Sequence, residues 1–428
     1  MLKAAFSAVG CKLNQYEVQS IAETLEPYGF QTVPFNDKAD LYIINTCSVT
    51  GKADYTSRQM ARRAIRRNPE AKVIVTGCYA ELEPEQTGEL GEGVIVVGNP
   101  RKNDIPQIVL EKFGIDVDSG GILSGRPITR MNGHSRAFIK IQEGCREKCS
   151  YCIIWKARGK PTSREPEQIV EEINSLYENG YYEVVLTGVH IGRYKKVLNL
   201  TELLKAILEK TKMPRIRLSS LKPNEFKDEL IELIGSEKRI CPHVHLPVQS
   251  GDDDVLKVMG RKYNAALLAG LVNRLVDIRP DITIGADIIV GFPGETDDNF
   301  ENTVALVKDN PFHHLHVFSY SDRPGTEASQ FTNKVTPEDK AKRSRRLRRL
   351  GNTKSKDHAR EFIGKNLDII VEDRESSGKL AGISGNYLRV EFDGDDKLRR
   401  KLIEINIDSM AKDSLIGDSG SIKLLKND

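Results

Sequence analysis

The sequence predicts an α/β protein of three units: an N-terminal Rossmann-like parallel sheet, a central open partial (β/α)6 barrel and a C-terminal small β-barrel. Three observations predict it. Short Val-, Ile- and Leu-rich segments alternate with helical patterns along most of the chain, a Gly/Ser-rich stretch interrupts that alternation once, and beyond residue 360 strands parted by Gly, Asn and Asp turns replace it.

In residues 1–110, Lys3–Val9, Leu41–Asn45 and Lys72–Thr76 read as buried strands, because they are short, apolar and rich in β-branched residues. Asn14–Tyr28 and Asp54–Arg67 carry apolar residues at helical spacing, so the order is β-α-β-α-β. Residues 111–130, with the breaker Ser119-Gly120-Gly121, read as a linker. In residues 131–360, strands at Phe138–Ile141, Glu183–Thr187, Arg215–Ser219, His243–Leu246, Thr283–Val290 and Leu315–Tyr320 alternate with helices such as Glu167–Glu178, Leu200–Leu208, Glu225–Ile234 and Ala265–Ile278. A basic helix around Lys340–Arg349 follows. In residues 361–426, strands at Leu367–Glu372, Tyr387–Phe392, Leu402–Ile407 and Ser421–Leu425 suit a small β-barrel of the kind used against nucleic acids or proteins.

The 428 residues hold 64 Lys and Arg against 61 Asp and Glu, and a net charge of +3 gives no global argument for a nucleic-acid partner. Seven unevenly spaced cysteines do not form the framework of a small disulfide-stapled protein and read as ligands. Met1–Gly10 lacks a signal-peptide pattern, and no apolar run reaches the roughly 18 residues of a membrane span. The expectation is a soluble cytoplasmic protein without a membrane partner.

Cys145, Cys149 and Cys152 form a C-x3-C-x2-C motif in the loop after the first barrel strand, at the carboxyl end where such barrels keep their active sites. Three thiolates serve three irons of a 4Fe-4S cube and leave the fourth open to a small molecule. Structural zinc, the alternative, wants a fourth Cys or His. The loop has none, and His134 precedes the strand. Further loops at the same rim place small residues where backbone must approach a ligand. They make Thr187, Gly188, Gln249, Gly291, Pro293 and Gly294 candidate cofactor contacts, although Gly291–Thr296 also suits a turn before a capped helix.

Cys11, Cys47 and Cys78 are far apart in sequence, but each follows the carboxyl end of a predicted parallel strand, the edge where ligands bind in open α/β sheets. Their convergence predicts a second metal set. The alternative is three buried cysteines acting as small hydrophobes, yet their neighbours Gly10, Lys12, Asn45, Thr46, Gly77 and Tyr79 are not those of an apolar strand interior. Cys241, before Pro242, reads as a core residue.

The C-x3-C-x2-C motif with Tyr151 before its last cysteine resembles the radical S-adenosylmethionine superfamily. The order of units, with Gly10-Cys11-Lys12-Leu13-Asn14-Gln15-Tyr16-Glu17, Asn45-Thr46-Cys47-Ser48-Val49-Thr50 and Gly77-Cys78-Tyr79-Ala80, resembles the methylthiotransferases over nearly the whole chain. Gly382–Val390 resembles the terminal TRAM domain of that family, which in relatives grips RNA or protein substrate. Within the family, the first of these motifs and Leu186-Thr187-Gly188-Val189-His190-Ile191-Gly192 are most similar to the branch acting on threonylcarbamoyladenosine beside the tRNA anticodon.

The resemblance implies two 4Fe-4S clusters, S-adenosylmethionine, a tRNA substrate and a low-potential electron donor such as flavodoxin or ferredoxin. It implies that one S-adenosylmethionine methylates sulfur on the cluster of Cys11, Cys47 and Cys78. A second is split at the cluster of Cys145, Cys149 and Cys152, its radical takes the hydrogen from carbon 2 of the adenine, and the methylthio group is delivered there. Other readings are methylthiolation of isopentenyladenosine or of a ribosomal-protein aspartate, or a redox-sensing iron–sulfur RNA-binding protein.

Trp155 stands where the family usually has proline, and as the sole tryptophan it reads as wall packing, with stacking on a nucleobase as the alternative. Two basic runs suit RNA phosphates: Arg58, Arg62 and Arg66 with Arg63 and Arg67, and Lys342, Arg343, Arg345, Arg346, Arg348 and Arg349. The second is the stronger candidate, although a charge run is usually a solvated face.

Overall fold

The computed structural model describes residues 1–116 and 127–425, so Ser119-Gly120-Gly121 lies outside the described residues. Five parallel strands form the first sheet: β1 (Leu2–Ala8), β2 (Phe30–Val33), β3 (Leu41–Thr46), β4 (Lys72–Gly77) and β5 (Val94–Val97), in the order β2-β1-β3-β4-β5. Alternation decides which face each residue serves. Ala4, Ile43 and Ile74 meet Ile21 and Leu25 of the helix Lys12–Leu25, while Ala5, Ile44 and Val75 meet Ala61 and Ala64 of the helix Gly51–Arg67. The two short outer strands, β2 and β5, add to the three expected.

The central unit has the six expected parallel strands: β6 (Ala137–Glu143), β8 (Glu183–Gly188), β9 (Arg215–Leu218), β10 (His243–Gln249), β11 (Thr283–Val290) and β12 (His314–Ser319). A two-residue strand β7 (Thr162–Ser163) pairs antiparallel to β6 and is an addition to the expected six. Ladder pairing runs β7-β6-β8-β9 and β10-β11-β12, with one isolated bridge, Ile216 to Ile240, across the gap. Val184, Leu186, Ile216, Val244, Leu246 and Ile284 nevertheless share one core.

The helix Pro337–Arg360, capped by the Thr336 side chain, lies along β12 and leads into the last unit. There β13 (Asn366–Arg374), β14 (Leu380–Ser384), β15 (Arg389–Phe392), β16 (Leu402–Ala411), β17 (Ser414–Gly417) and β18 (Lys423–Leu424) pair in the order β13-β14-β15-β17-β16-β18. Pairing of β13 with β16 closes the ring. The loop after β14 docks on the central unit: Arg217 donates to the carbonyls of Ser384 and Gly385, and Arg215 to that of Ile383. Among the described residues no helix is long and apolar enough to cross a membrane.

Candidate active site

Parallel register brings the ends of β1, β3 and β4 level, because Ala8 pairs with Asn45, and Thr46 with Gly77. Cys11, Cys47 and Cys78 follow those ends. Asn14, one turn into its helix, donates from Nδ2 to the carbonyls of Val9 (2.7 Å) and Thr46 (2.9 Å), tying the Cys11 loop to the Cys47 loop. Gly10 has φ +91°, and a Cβ there would lie 2.7 Å from Cys47 Sγ, so only glycine lets the backbone pass over that sulfur. Burial, with smaller contributions from the charges of Cys11 and Cys78, pushes the Cys47 thiol up to about 12 against a hydrogen bond from the Val49 N–H. Such thiols ionise together only around a cation, and soft thiolates suit iron.

The barrel triad is held from several sides. The Cys145 N–H donates to the Gly159 carbonyl, and the Ser150 N–H to that of Met259. Arg261 Nη1 lies 3.6 Å from Cys149 Sγ, and its Nη2 donates to the Pro247 carbonyl. Burial raises the Cys145 thiol, but His190, the Glu147 N–H and the charge of Lys222 outweigh it and hold the thiol below its usual value. Cys152 is pushed up to about 11 by burial, which the Ile154 N–H opposes.

His190 Nδ1 lies 3.7 Å from Cys145 Sγ, and its Nε2 pairs with Glu225. Burial opposes the charge on this imidazole, but Cys145 and Glu225 raise its pKa. Glu225 at Nε2 thus orients the ring so that Nδ1 faces the sulfur. In the sequence His190 stands only as a mark of the branch. Its place at the carboxyl end of β8, on the rim that carries the motif, is the signal that points to it.

All six cysteines line one cavity of about 310 Å³. Arg158, in the short helix Ile154–Arg158 after Cys152, joins the two triads. Its Nε donates to Cys78 Sγ (3.2 Å), and its Nη1 to Glu17 Oε1 (2.6 Å) and Glu143 Oε1 (2.7 Å), while Nη2 donates to Asn14. Lys102 and Lys140 also reach Glu17, and with Arg158 they hold its carboxyl well below the usual range despite its burial. This explains Asn14 and Glu17 of the first motif. Tyr16 serves the same junction by donating to Glu172 Oε1 across the two units. No spacing pattern marks Arg158; only the fold brings it to the first triad.

Thr187, Gly188 and Gln249 line the cavity. Gln249 has φ +68°, a strained backbone for a residue with a side chain. Gly291, Pro293 and Gly294 are not on that wall. Gly291 and Gly294 pack against Lys340 and Asn333, Glu295 accepts from the Gly291 N–H and from Arg343, and Thr296 caps the helix Asp297–Asp309. The candidate cofactor loop is thus a braced turn before a capped helix. Trp155 packs in the cavity wall, half-buried, with Lys148 and Lys156 each 5.4 Å from its ring centroid.

The basic runs differ in which of their charges are paired. Arg343 is buried in pairs with Glu295 and Asp297, Arg346 pairs with Glu301, and Arg348 donates to the Val317 carbonyl. Arg62, Arg63, Arg66 and Arg67 of the first run, like Lys342, Arg345 and Arg349 of the second, are exposed and have no carboxylate partner among the described residues. Cys241 is buried, as expected of a core residue.

Residues 139–307 match the profile of the radical SAM superfamily, and residues 3–98 that of an uncharacterized protein family, UPF0004. Over 95% of this chain and 94% of its own length, the threonylcarbamoyladenosine tRNA methylthiotransferase MtaB of Bacillus subtilis (strain 168) is 37% identical. This chain belongs to the methylthiotransferase family of radical S-adenosylmethionine enzymes. The MtaB of Aquifex aeolicus (strain VF5) is 37% identical over 92% of this chain and 97% of that protein. A tRNA-2-methylthio-N(6)-dimethylallyladenosine synthase of Staphylococcus epidermidis (strain ATCC 12228 / FDA PCI 1200) is 32% identical over 95% and 83%. The radical S-adenosylmethionine methyltransferase TsrM of Kitasatospora setae has a similar fold, with a TM-score of 0.57 at 16% identity, covering 77% of this chain and 75% of that one. Membership makes the chain an enzyme that uses an iron–sulfur cluster and S-adenosylmethionine.

Proposed function

We propose that this enzyme attaches a methylthio group to carbon 2 of N6-threonylcarbamoyladenosine beside the tRNA anticodon. In this reading Cys145, Cys149 and Cys152 hold one 4Fe-4S cluster, and Cys11, Cys47 and Cys78 hold a second. The observation that carries it is the common cavity: a radical source and a sulfur carrier act on one base only if both open on the same space. Relatives named for this substrate, covering nearly the whole chain, support the choice of base.

Bound there, the clusters supply the electron that splits S-adenosylmethionine and the open iron that holds the sulfur to be transferred. The chain's own residues set the frame. Arg158 fixes Cys78 relative to the barrel by donating at once to the sulfur, two carboxylates and the Asn14 amide, and low-dielectric burial strengthens each bond. His190, held by Glu225, turns a ring nitrogen toward Cys145, and Lys222 pairs with Glu147 at the same wall. Thr187, Gly188 and Gln249 form the wall assigned to S-adenosylmethionine, and a low-potential donor such as flavodoxin or ferredoxin supplies the electrons.

Trp155 offers a stacking face for a splayed-out base. From the mouth, exposed Val49 and Tyr55 lead onto Arg58, Arg62 and Arg66, one stripe of the helix Gly51–Arg67 suited to anticodon-stem phosphates. Nucleoside mass spectrometry of tRNA from cells with and without the gene tests the reading. The methylthio derivative of threonylcarbamoyladenosine should vanish without the gene and return with it. An unchanged level overturns the substrate, and loss of the isopentenyl derivative instead assigns the sister activity.

A further inference from the structure

On β10, Val244, Leu246 and Val248 point into the core of the central unit, which leaves His243, His245 and Pro247 on the opposite face, where Pro247 lines the cysteine cavity. On β12, Leu315 and Val317 pack toward Leu347 of the long helix, which leaves His314 and His316 on the inner face. Asp287 of β11 alternates with buried Ala286 and Ile288 and stands level with His316 in the parallel register. Three adjacent strands thus present His245, Asp287 and His316 to the barrel interior.

We propose that His245, Asp287 and His316 hold a divalent transition-metal ion, separate from both cysteine triads. Asp287 Oδ1 is 2.9 Å from His245 Nε2 and 3.2 Å from His316 Nδ1, and all three ligand atoms lie within 4.8 Å of one another. Metal bonds of about 2.0–2.1 Å set neighbouring ligand atoms roughly 3 Å apart, close to both distances measured from Asp287. Gly285 makes the room: a Cβ there would lie 2.7 Å from His245 Nδ1, so any larger residue drives the imidazole off the group.

Two imidazoles and one carboxylate select zinc or ferrous-type ions over magnesium or calcium, and leave positions for water or a substrate oxygen. None of the six cysteines belongs to this group, so it fills independently of the clusters.

Cobalt(II) is the probe, because elemental analysis counts it apart from cluster iron. Cluster-loaded protein dialysed anaerobically against Co2+ should retain close to one cobalt per chain, which Zn2+ displaces. Asp287→Asn, nearly isosteric, and His316→Ala, at a half-exposed side chain, should each weaken retention by roughly tenfold or more. Circular dichroism and iron content, unchanged in both variants, show that they fold and keep their clusters. Equal cobalt in the wild type and both variants, or none in the wild type, overturns the proposal whatever the outcome for tRNA.

Discussion

Arg158, itself buried, reaches Cys78 Sγ while its terminal nitrogens sit on buried Glu17 and Asn14 and on part-exposed Glu143. Removing one partner of a buried ion pair costs about 3–5 kcal/mol, because the remaining charge loses its compensation. Arg158→Ala is expected to lose that much in denaturant unfolding and to lose the iron held by the N-terminal triad before that of the barrel. Lys at this position keeps the charge but not the planar fork that reaches sulfur and carboxylates together, and should recover only part of the loss. Trp155 permits a direct optical check, since its emission is the only tryptophan signal. Substrate tRNA should quench it, and Trp155→Ala should weaken tRNA binding by about 1–3 kcal/mol, with Phe retaining most of the affinity.

At the scale of elements, the helices Gly51–Arg67 and Pro337–Arg360 have similar basic patterns and different fates. The first buries small residues, Ser57, Ala61 and Ala64, and leaves its arginines outside; the second spends Arg343, Arg346 and Arg348 on the central unit. Arg62→Ala with Arg66→Ala should therefore weaken tRNA binding and lower the slope of log affinity against log salt by about one for each phosphate no longer neutralised. Arg343→Ala should act on stability.

Periodicity makes most long elements legible, including all six barrel strands and the strand ends that carry the first triad. It does not reveal Phe30–Val33, Thr162–Ser163, Leu380–Ser384 or Ser414–Gly417 as strands, because two to five residues at an edge or in a small barrel show too little pattern and depend on partners distant in sequence. The basic runs look alike for the same reason: a sequence shows charges but not their partners. Trp155 reads as wall packing and lies on the cavity wall, but its place in a cysteine loop says nothing of which way its free face turns.

Two of the polar junctions that join the units run through Arg158 and through Glu183, Arg215 and Arg217 beneath the end of β14. Burial works against the Glu183 charge, yet Arg215 and Arg217 bring its pKa down to about 2 from 4.5. Because the folded value is depressed, the stabilisation is present above the unfolded pKa and is lost as pH falls from about 4.5 toward about 2. Its full size is of the order of 3 kcal/mol. Glu183→Gln should be less stable at neutral pH, and its unfolding midpoint should fall less between pH 5 and pH 3 than that of the wild type.

The two cysteine sets that open on one cavity are proposed to have separate tasks. Reduced Cys47→Ala protein, given S-adenosylmethionine and substrate tRNA, tests this through both products in one assay. The variant should still form 5′-deoxyadenosine, because Cys145, Cys149 and Cys152 are intact, and should yield no methylthio nucleoside. Methylthio nucleoside formed at the wild-type rate would rule out a separate task for the N-terminal set.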